Sequence, residues 1–369
     1  MNKTKLIHKE QYKRILIAPL DWGLGHTTRC IPLIRHLKAL GHAVVVATEG
    51  VSAQILKENF TDLEIINLKG YHINYSKRKS GFSLKIIAQL PKIFKAIQNE
   101  NKFLEQYLLN NNFDLIISDN RYGFYSSKIK SVILTHQIQI LSGKGKFIDA
   151  ILRKIHKNRL EKFDECWIVD QSKQPGLSGV LAHPKELPSN HKYIGWLSQL
   201  DDSALKLENQ KNKHFLILLS GPEPMRSQLE EALWRQCSNL KDYTFSFVSG
   251  KPNIKKSGDI PEHIEWFSHL TREALIKEFE KATAVICRSG YSTLMDLMFL
   301  KRPALLIPTP GQTEQEYLAK HVSENIQTFK WVHQKKLNLE VQLGAFNFQN
   351  NDVNTFQKNI IDFRKIISL

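Results

Sequence analysis

The stretch Val285–Tyr317, which reads VICRSGYSTLMDLMFLKRPALLIPTPGQTEQEY, decides the fold class. The apolar run Ala284–Cys287 at its start is typical of a strand buried on both faces. After a glycine turn, Ser292-Thr293 are expected to cap a helix that runs to about Leu300. The apolar run Ala304–Ile307 predicts the next strand. The stretch therefore indicates a strand–helix–strand unit of an α/β sheet, in which ligands bind at the carboxyl ends of the strands.

Length and composition indicate a soluble globular protein of two domains. The chain has 369 residues, of which 42% are hydrophobic and 24% charged. No run reaches the roughly 20 apolar residues of a membrane span, and the opening segment MNKTKLIHKEQYKR lacks the apolar core of a secretory signal. The four cysteines have neither disulfide nor zinc-site spacing, so we expect them to be reduced, as in a cytoplasmic protein.

Positive charge is concentrated in the first half of the chain. The net charge is +16, and residues 1–200 hold 30 Lys and Arg against 16 Asp and Glu. A nucleic acid, an anionic membrane surface or an anionic substrate would each suit such a surface. No zinc-finger spacing or aromatic RNA-binding signature is present, so we expect no nucleic-acid partner.

The first strand is followed by a loop that carries a candidate catalytic histidine. Arg14–Pro19 is an apolar run, and the loop DWGLGHTTR separates it from an amphipathic helix at Ile31–Leu40. His26 should lie at the first turn of this helix and face the cleft. It could act as a general base or contact a phosphate, or it could be only a helix cap or a solvated side chain.

Two further strand ends carry candidate polar residues. Asp119 follows the strand Asp114–Ser118, and His136 follows the strand Ser131–Thr135. Parallel strands bring their carboxyl ends to one edge of a sheet. We therefore expect His26, Asp119 and His136 to meet at that edge.

A basic segment in the first half has two interpretations. Phe82–Ile97 has apolar residues at helical spacing, and Lys77–Lys79 precede it. A basic amphipathic helix can lie on an anionic membrane surface. It can equally pack its apolar side on the protein core and solvate its charges.

The second half repeats the organisation of the first. We predict an N-terminal domain of residues 1–199, a polar linker of residues 200–213, a C-terminal domain of residues 214–350, and a helix of residues 351–369 that packs back on the N-terminal domain. The C-terminal domain opens with a strand at His214–Leu219 and the glycine-bearing turn Ser220–Pro224.

The sequences CRSGYSTLMD and PALLIP resemble the donor-binding region of the GT-B-fold glycosyltransferases, in particular the MurG-like N-acetylglucosaminyltransferases. That family has a C-R-S-G-x-x-T-x-x-E turn and helix, a P-x-x-x-x-P strand, and a loop that contains glutamine. The resemblance implies an α/β fold of the GT-B type, with two Rossmann-like doubly wound domains that face each other across a cleft.

The resemblance also implies roles for individual residues. Asp119 would orient His26 as the catalytic base. On the donor side, Ser220 and Gly221 would form the phosphate loop, Phe267 and Ser268 the nucleobase site, Arg288, Ser289, Gly290 and Thr293 the diphosphate turn, Asp296 the ribose site, and Glu314, Gln315 and Glu316 the sugar loop. On the acceptor side lie Gly23 and Gly25, in the loop that Trp22 begins, together with Arg121, His136 and Gln137.

The reaction that the resemblance implies is sugar transfer from a nucleotide-sugar such as UDP-N-acetylglucosamine to a lipid-linked or cell-envelope acceptor, with inversion. The enzyme would then be cytoplasmic and peripheral on the inner face of the membrane. No metal or other cofactor is expected, because the acidic pair Asp201-Asp202 lies in the linker. A nucleotide-sugar epimerase of the same fold and a non-catalytic nucleotide-sugar-binding protein stay open as alternatives.

Overall fold

Two parallel β-sheets organise the chain in a computed structural model that describes residues 12–21, 23–71, 89–200, 213–251, 254 and 258–345. The strands of the first sheet are β1 Arg14–Pro19, β2 Ala43–Thr48, β3 Glu64–Asn67, β4 Leu115–Asp119, β5 Ser131–Thr135, β6 Glu165–Ile168 and β7 His191–Tyr193. The helices described with it are α1 Leu24–Ala39, α2 Gly50–Asn59, α3 Leu90–Leu108 and α4 Lys146–Leu160.

The order of the first sheet is β3-β2-β1-β4-β5-β6-β7. Strands β4 and β5 are buried along their whole length, as expected for strands covered by helices on both faces. The strand order changes direction between β1 and β4, which pair from Ile15 with Leu115 to Pro19 with Asp119. Such a change of direction opens a crevice at the carboxyl ends of the two strands.

The second sheet has the order β10-β9-β8-β11-β12-β13 and repeats this plan. Its strands are β8 His214–Leu218, β9 Thr244–Val248, β10 Ile264–Phe267, β11 Ala284–Cys287, β12 Ala304–Leu306 and β13 Phe329–Trp331. Its helices are α5 Met225–Cys237, α6 Arg272–Lys281, α7 Tyr291–Leu300, α8 Thr313–Asn325 and α9 Leu339–Gly344. The two-sheet α/β fold predicted from the sequence is confirmed.

Two predicted helix starts are wrong. Helix α1 begins at Leu24 rather than Ile31, because the chain turns into the helix at Gly23, whose φ of 94° suits glycine. Helix α7 begins at Tyr291, and its N-cap is Gly290, which provides no side-chain cap. Ser292 and Thr293 therefore lie within the helix and do not cap it.

Several predicted features lie outside the described residues. They are Trp22, Lys77–Lys79, the first part of the Phe82–Ile97 helix, linker residues 201–212, residues 346–350 and the helix of residues 351–369. The predicted limits of the two domains stay a prediction. Within the described part of the chain, no helix is both long and apolar enough to cross a membrane.

Side chains of the C-terminal domain contact the backbone of the N-terminal domain at several points. Side chains of α7 and α8 donate hydrogen bonds to carbonyl oxygens of the first domain. These bonds are Tyr291 to Val169 (2.6 Å), Ser292 to Gly25 (2.9 Å), Thr313 to Leu141 (2.6 Å) and His321 to Gly176 (3.1 Å). They place the amino-terminal turns of α1 and α7 side by side at the cleft.

Candidate active site

The structure brings His26 and Asp119 together at the crevice beside β1. His26 lies in the first turn of α1, and its Nδ1 is 3.1 Å from Oδ1 of Asp119, the last residue of β4. Asp119 is fully buried, whereas the His26 side chain is 16% exposed. The predicted pairing is therefore present in the geometry, and its catalytic role stays a prediction.

Arg29 joins this pair and was missed by the sequence analysis. Its Nε donates to Oδ2 of Asp119 at 2.8 Å, and its Nη2 donates to Oδ1. Burial alone would raise the pKa of Asp119, but the charge of Arg29, helped by His26, holds that pKa well below its usual range. The sequence did contain a clue to Arg29, because it lies three positions after His26 and residues three apart on a helix share a face. The prediction missed it because it began the helix at Ile31, after both residues.

His136 lies on the other side of Arg29 and reaches into the second domain. Its Nδ1 is 3.0 Å from Nη1 of Arg29, and its Nε2 is 2.9 Å from Oε1 of Glu314. Its ring stacks on Tyr291, with the ring centroids 4.2 Å apart. Burial lowers the pKa of His136. The predicted sugar-loop residue Glu314 thus contacts a predicted acceptor-side residue, and Tyr291, which the sequence analysis did not single out, supports the contact.

Arg288 does not face the cleft as predicted. It is 1% exposed, and its guanidinium donates to the backbone carbonyls of Met225, Ile307 and Pro308 at 2.8 to 3.1 Å. Burial lowers its pKa to about 10, so it stays charged at neutral pH. Arg288 therefore holds the loops after β11 and β12 against the start of α5, and its contact with a diphosphate stays a prediction.

The side chains of Asp296 and Gln315 also form hydrogen bonds with other parts of the protein. Asp296 accepts hydrogen bonds from Ser198 at 2.6 Å and Gln199 at 3.2 Å, so its carboxylate fastens the segment between the domains. Gln315 is 7% exposed, and its side-chain oxygen accepts the backbone N–H of Thr309 at 2.9 Å. Both side chains are thus hydrogen-bonded within the protein, and their contacts with ribose and sugar stay predictions.

Ser289 and Glu316 make hydrogen bonds close to Gln315. The Ser289 hydroxyl donates to the Gln315 carbonyl at 2.8 Å and is fully buried. The Glu316 carboxylate accepts the backbone N–H of Gly311 at 2.9 Å. Ser289 therefore joins the turn after β11 to the first turn of α8, and Glu316 fixes the loop between β12 and α8.

The open part of the donor side is the amino-terminal turn of α7. Gly290 and Thr293 are half-buried there, and a side chain at Gly290 would meet no atom within 4 Å. Ser220 and Gly221 are exposed in the turn after β8. Phe267 and Ser268 are half-buried at the end of β10, where both of their carbonyls accept hydrogen bonds from residues 249–251.

Arg121 lies behind the predicted acceptor side. It is fully buried, and its Nη1 pairs with Glu100 at 2.6 Å. Its Nε donates to the Pro19 carbonyl at 2.9 Å. The predicted contact with an acceptor does not agree with this position.

The other acceptor-side residues lie near His26. Gly23 and Gly25 are exposed at the start of α1, and Gln137 is half-buried beside His136. A Cβ on Gly25 would lie 3.2 Å from Oγ of Ser292, so this glycine permits the close approach of the two helices. The described residues contain no group of three or more His, Cys, Asp or Glu side chains that could hold a metal ion.

The whole chain superposes on known glycosyltransferase structures. The kitacinnamycin glycotransferase covers 91% of this chain and 90% of its own, with a TM-score of 0.65 and 15% identity. MurG of Acinetobacter baumannii covers 94% and 93%, with a TM-score of 0.54 and 16% identity. The architecture is therefore GT-B, with two Rossmann-like domains.

Sequence comparison adds the activity class. Residues 204–365 match the glycosyltransferase family 28 C-terminal domain. A UDP-N-acetylglucosamine–N-acetylmuramyl-(pentapeptide) pyrophosphoryl-undecaprenol N-acetylglucosamine transferase of Clostridium tetani is 22% identical over 360 residues, 94% of this chain and 93% of that protein. An uncharacterised glycosyltransferase of Methanosarcina acetivorans is 25% identical over 348 residues, 84% of this chain and 83% of that protein. The chain is a glycosyltransferase of the GT-B fold that resembles the MurG-like enzymes.

Proposed function

We propose that this enzyme transfers a sugar from a UDP-sugar, such as UDP-N-acetylglucosamine, to a lipid-linked or cell-envelope acceptor, with inversion and without a metal ion. The Clostridium tetani relative supports the donor and acceptor classes, since that protein is named for both. A plant glycosyltransferase of the same fold was crystallised with UDP-L-rhamnose.

One observation carries the proposal: the candidate base and the open helix terminus face each other across the domain boundary. Gly25, the residue before His26, accepts the Ser292 hydrogen bond from the first turn of α7. The amino end of a helix attracts a phosphate through its N–H groups and its dipole. A diphosphate held at α7 would therefore lie beside His26.

The proposed chemistry is a direct displacement. His26 takes the proton from the acceptor hydroxyl, and the acceptor oxygen attacks C1 of the sugar. The bond between C1 and the diphosphate breaks, and its electron pair leaves with the diphosphate. The backbone N–H groups and dipole of α7 stabilise the charge that develops there. Attack opposite to the leaving group inverts the configuration at C1.

Ligand-induced stabilisation and product analysis test the donor assignment. UDP at about 100 times its Kd should stabilise the folded protein by about 2.7 kcal/mol, whereas ADP should stabilise it less. Incubation of a labelled UDP-sugar with candidate lipid-linked acceptors should give a labelled lipid. The absence of any UDP effect would contradict the donor assignment. Conversion of the donor to an epimer without an acceptor would favour the epimerase alternative.

The membrane part of the proposal rests on helix α4. Four of its apolar side chains are 41 to 79% exposed: Phe147, Ile148, Ile151 and Ile155. With 3.6 residues per turn, they lie within about 100° of arc. Lys146 and Lys154 are exposed on the same helix. An exposed apolar face beside positive charges suits an anionic membrane surface.

The predicted membrane helix contributes one residue to this surface. Phe94 of α3 is 44% exposed, and the Arg159 guanidinium of α4 lies 5.6 Å from the centre of its ring. We call Phe94 and the four exposed apolar side chains of α4 together the α4 face. The segment Phe82–Ile97, for which the sequence left a membrane role open, lies partly outside the described residues, so the proposal places the main contact on α4.

Vesicle sedimentation tests the α4 face. The double variant Phe147→Ser/Ile151→Ser should bind anionic vesicles at least about tenfold more weakly than the wild type, because each buried methylene contributes ~0.8 kcal/mol. The double variant Ile260→Ser/Val341→Ser, which alters exposed apolar residues of the other domain, is the matched control and should bind like the wild type. Equal binding by all three proteins would contradict the assignment.

A further inference from the structure

The Arg29 guanidinium contacts three other groups of the site and is almost fully enclosed. Its side chain is 2% exposed. Besides the two oxygens of Asp119, it lies 3.0 Å from Nδ1 of His26 and 3.0 Å from Nδ1 of His136. A single cation therefore links the carboxylate of the candidate catalytic pair to the histidine that contacts the second domain.

The chemistry of a guanidinium fixes the proton position on His136. Arginine stays charged and can only donate hydrogen bonds. The nitrogen that faces it, Nδ1 of His136, must therefore present its lone pair. In a neutral ring the proton is then on Nε2, which donates to the Glu314 carboxylate at 2.9 Å. The lowered pKa of His136 in its buried position agrees with a neutral ring.

The same guanidinium shares Asp119 with His26. His26 Nδ1 and Arg29 Nη2 both donate to Oδ1, while Arg29 Nε donates to Oδ2. Nδ1 of His26 therefore carries the ring proton, its 3.0 Å contact with Arg29 Nη2 lies between two donors to one oxygen, and Nε2 keeps the lone pair that a base needs. A forked contact to both oxygens fixes the plane of a carboxylate. The orientation of Asp119, and with it the orientation of the His26 ring, therefore depends on Arg29.

From these contacts we infer that Arg29 is a positioning residue for sugar transfer: it orients the Asp119–His26 pair and links that pair, through His136, to Glu314 of the donor-side domain. The inference rests on the proposed function, in which His26 is the base. Glu314 lies in the first turn of α8, so the link is complete only when the two domains are docked. The catalytic pair is then fully oriented when the donor domain is in place.

Kinetics of Arg29→Lys test the positioning role. Lysine keeps the positive charge but lacks the planar fork, so it cannot hold both oxygens of Asp119 and His136 together. We expect kcat to fall about 100-fold, the loss typical of a misplaced catalytic group, while KM for the donor and the affinity for UDP stay unchanged. A variant that is folded, by circular dichroism, and fully active would overturn the inference. A wild-type protein without transfer activity would instead overturn the proposed function.

Coupling across the domains needs a second variant. Glu314→Gln should lower kcat in the wild type but add little in the Arg29→Lys background, because the link is already broken there. The matched control is Glu316→Gln, on the same turn of α8 and bonded to the Gly311 backbone. Its effect should be the same in both backgrounds. Equal effects of Glu314→Gln in both backgrounds would contradict the link.

A spectroscopic measurement on the wild type does not depend on how the variants fold. Nitrogen NMR of the protein labelled with ¹⁵N-histidine should show an unprotonated Nδ1 and a protonated Nε2 in the ring of His136 at pH 7.5, and the signals of that ring are identified by their loss in His136→Gln. An Nδ1–H tautomer or a charged ring at His136 would overturn the inference, because neither can accept a hydrogen bond from Arg29.

Discussion

Replacement of His26 by alanine is expected to lower kcat/KM for sugar transfer by about 10²- to 10⁴-fold, the range that a general base contributes. The ring is at hydrogen-bond distance from a fully buried carboxylate, and the preceding residue, Gly25, accepts a hydrogen bond from Ser292 in the amino-terminal turn of α7. In the proposed mechanism the N–H groups of α7 hold the diphosphate and His26 acts on the acceptor, so the affinity for UDP should be nearly unchanged. Steady-state kinetics and UDP titration check the two parts separately.

The matched control is His36→Ala, which makes the same substitution in the last turn of the same helix. It should leave kcat/KM close to the wild-type value, since that end of α1 is far along the helix from the cleft. If both variants lose activity equally, the loss reports damage to α1 and not a missing base. If neither does, the role of His26 as base is wrong.

Replacement of Arg121 by leucine is expected to lower the free energy of unfolding by about 3–5 kcal/mol, the cost of removing one partner from a buried ion pair. Arg121 and Glu100 are 0% and 3% exposed, and Glu100 also accepts the Tyr71 hydroxyl at 2.7 Å. Without the guanidinium, Glu100 would be a buried charge with no cation. Urea unfolding measures the loss, and the KM for the acceptor should stay unchanged in the folded fraction.

Two comparisons sharpen the Arg121 experiment. Arg235→Leu removes an arginine whose side chain is 74% exposed and paired with Glu231, and it should cost less than about 1 kcal/mol. The double variant Glu100→Gln/Arg121→Leu should recover part of the stability, because no charge is then left buried. A raised acceptor KM with wild-type stability would contradict the structural role and restore the acceptor-side prediction.

The sequence was sufficient to predict the fold because both sheets are covered on both faces. Strands in that setting are unbroken apolar runs, and those at β1, β4, β5 and β11 stand out against their polar flanks. Parallel strands also bring their carboxyl ends to one edge, so the meeting of His26, Asp119 and His136 followed from order alone. The structure brings these three residues within one network.

The roles of other polar residues could not be read from the sequence. Asp296 binds Ser198 and Gln199, which lie almost a hundred positions away. Arg288 is surrounded by three backbone carbonyls that only the folded loops bring together. A motif specifies which side chain is present at a turn, whereas long-range packing decides whether that side chain faces the ligand or the protein.

The docking of the two domains has a consequence for sequence divergence in the N-terminal half. Carbonyl oxygens of Gly25, Leu141, Val169 and Gly176 receive side chains of the C-terminal domain. A carbonyl is present whatever residue occupies the position, so substitutions at Leu141 and Val169 keep the hydrogen bonds as long as the backbone conformation is unchanged. Gly25 and Gly176 are excluded, because a Cβ would lie 3.2 Å from Ser292 Oγ at Gly25 and 2.5 Å from His183 Nε2 at Gly176. The side chains of the N-terminal loops can therefore vary at these positions while the same C-terminal domain continues to dock.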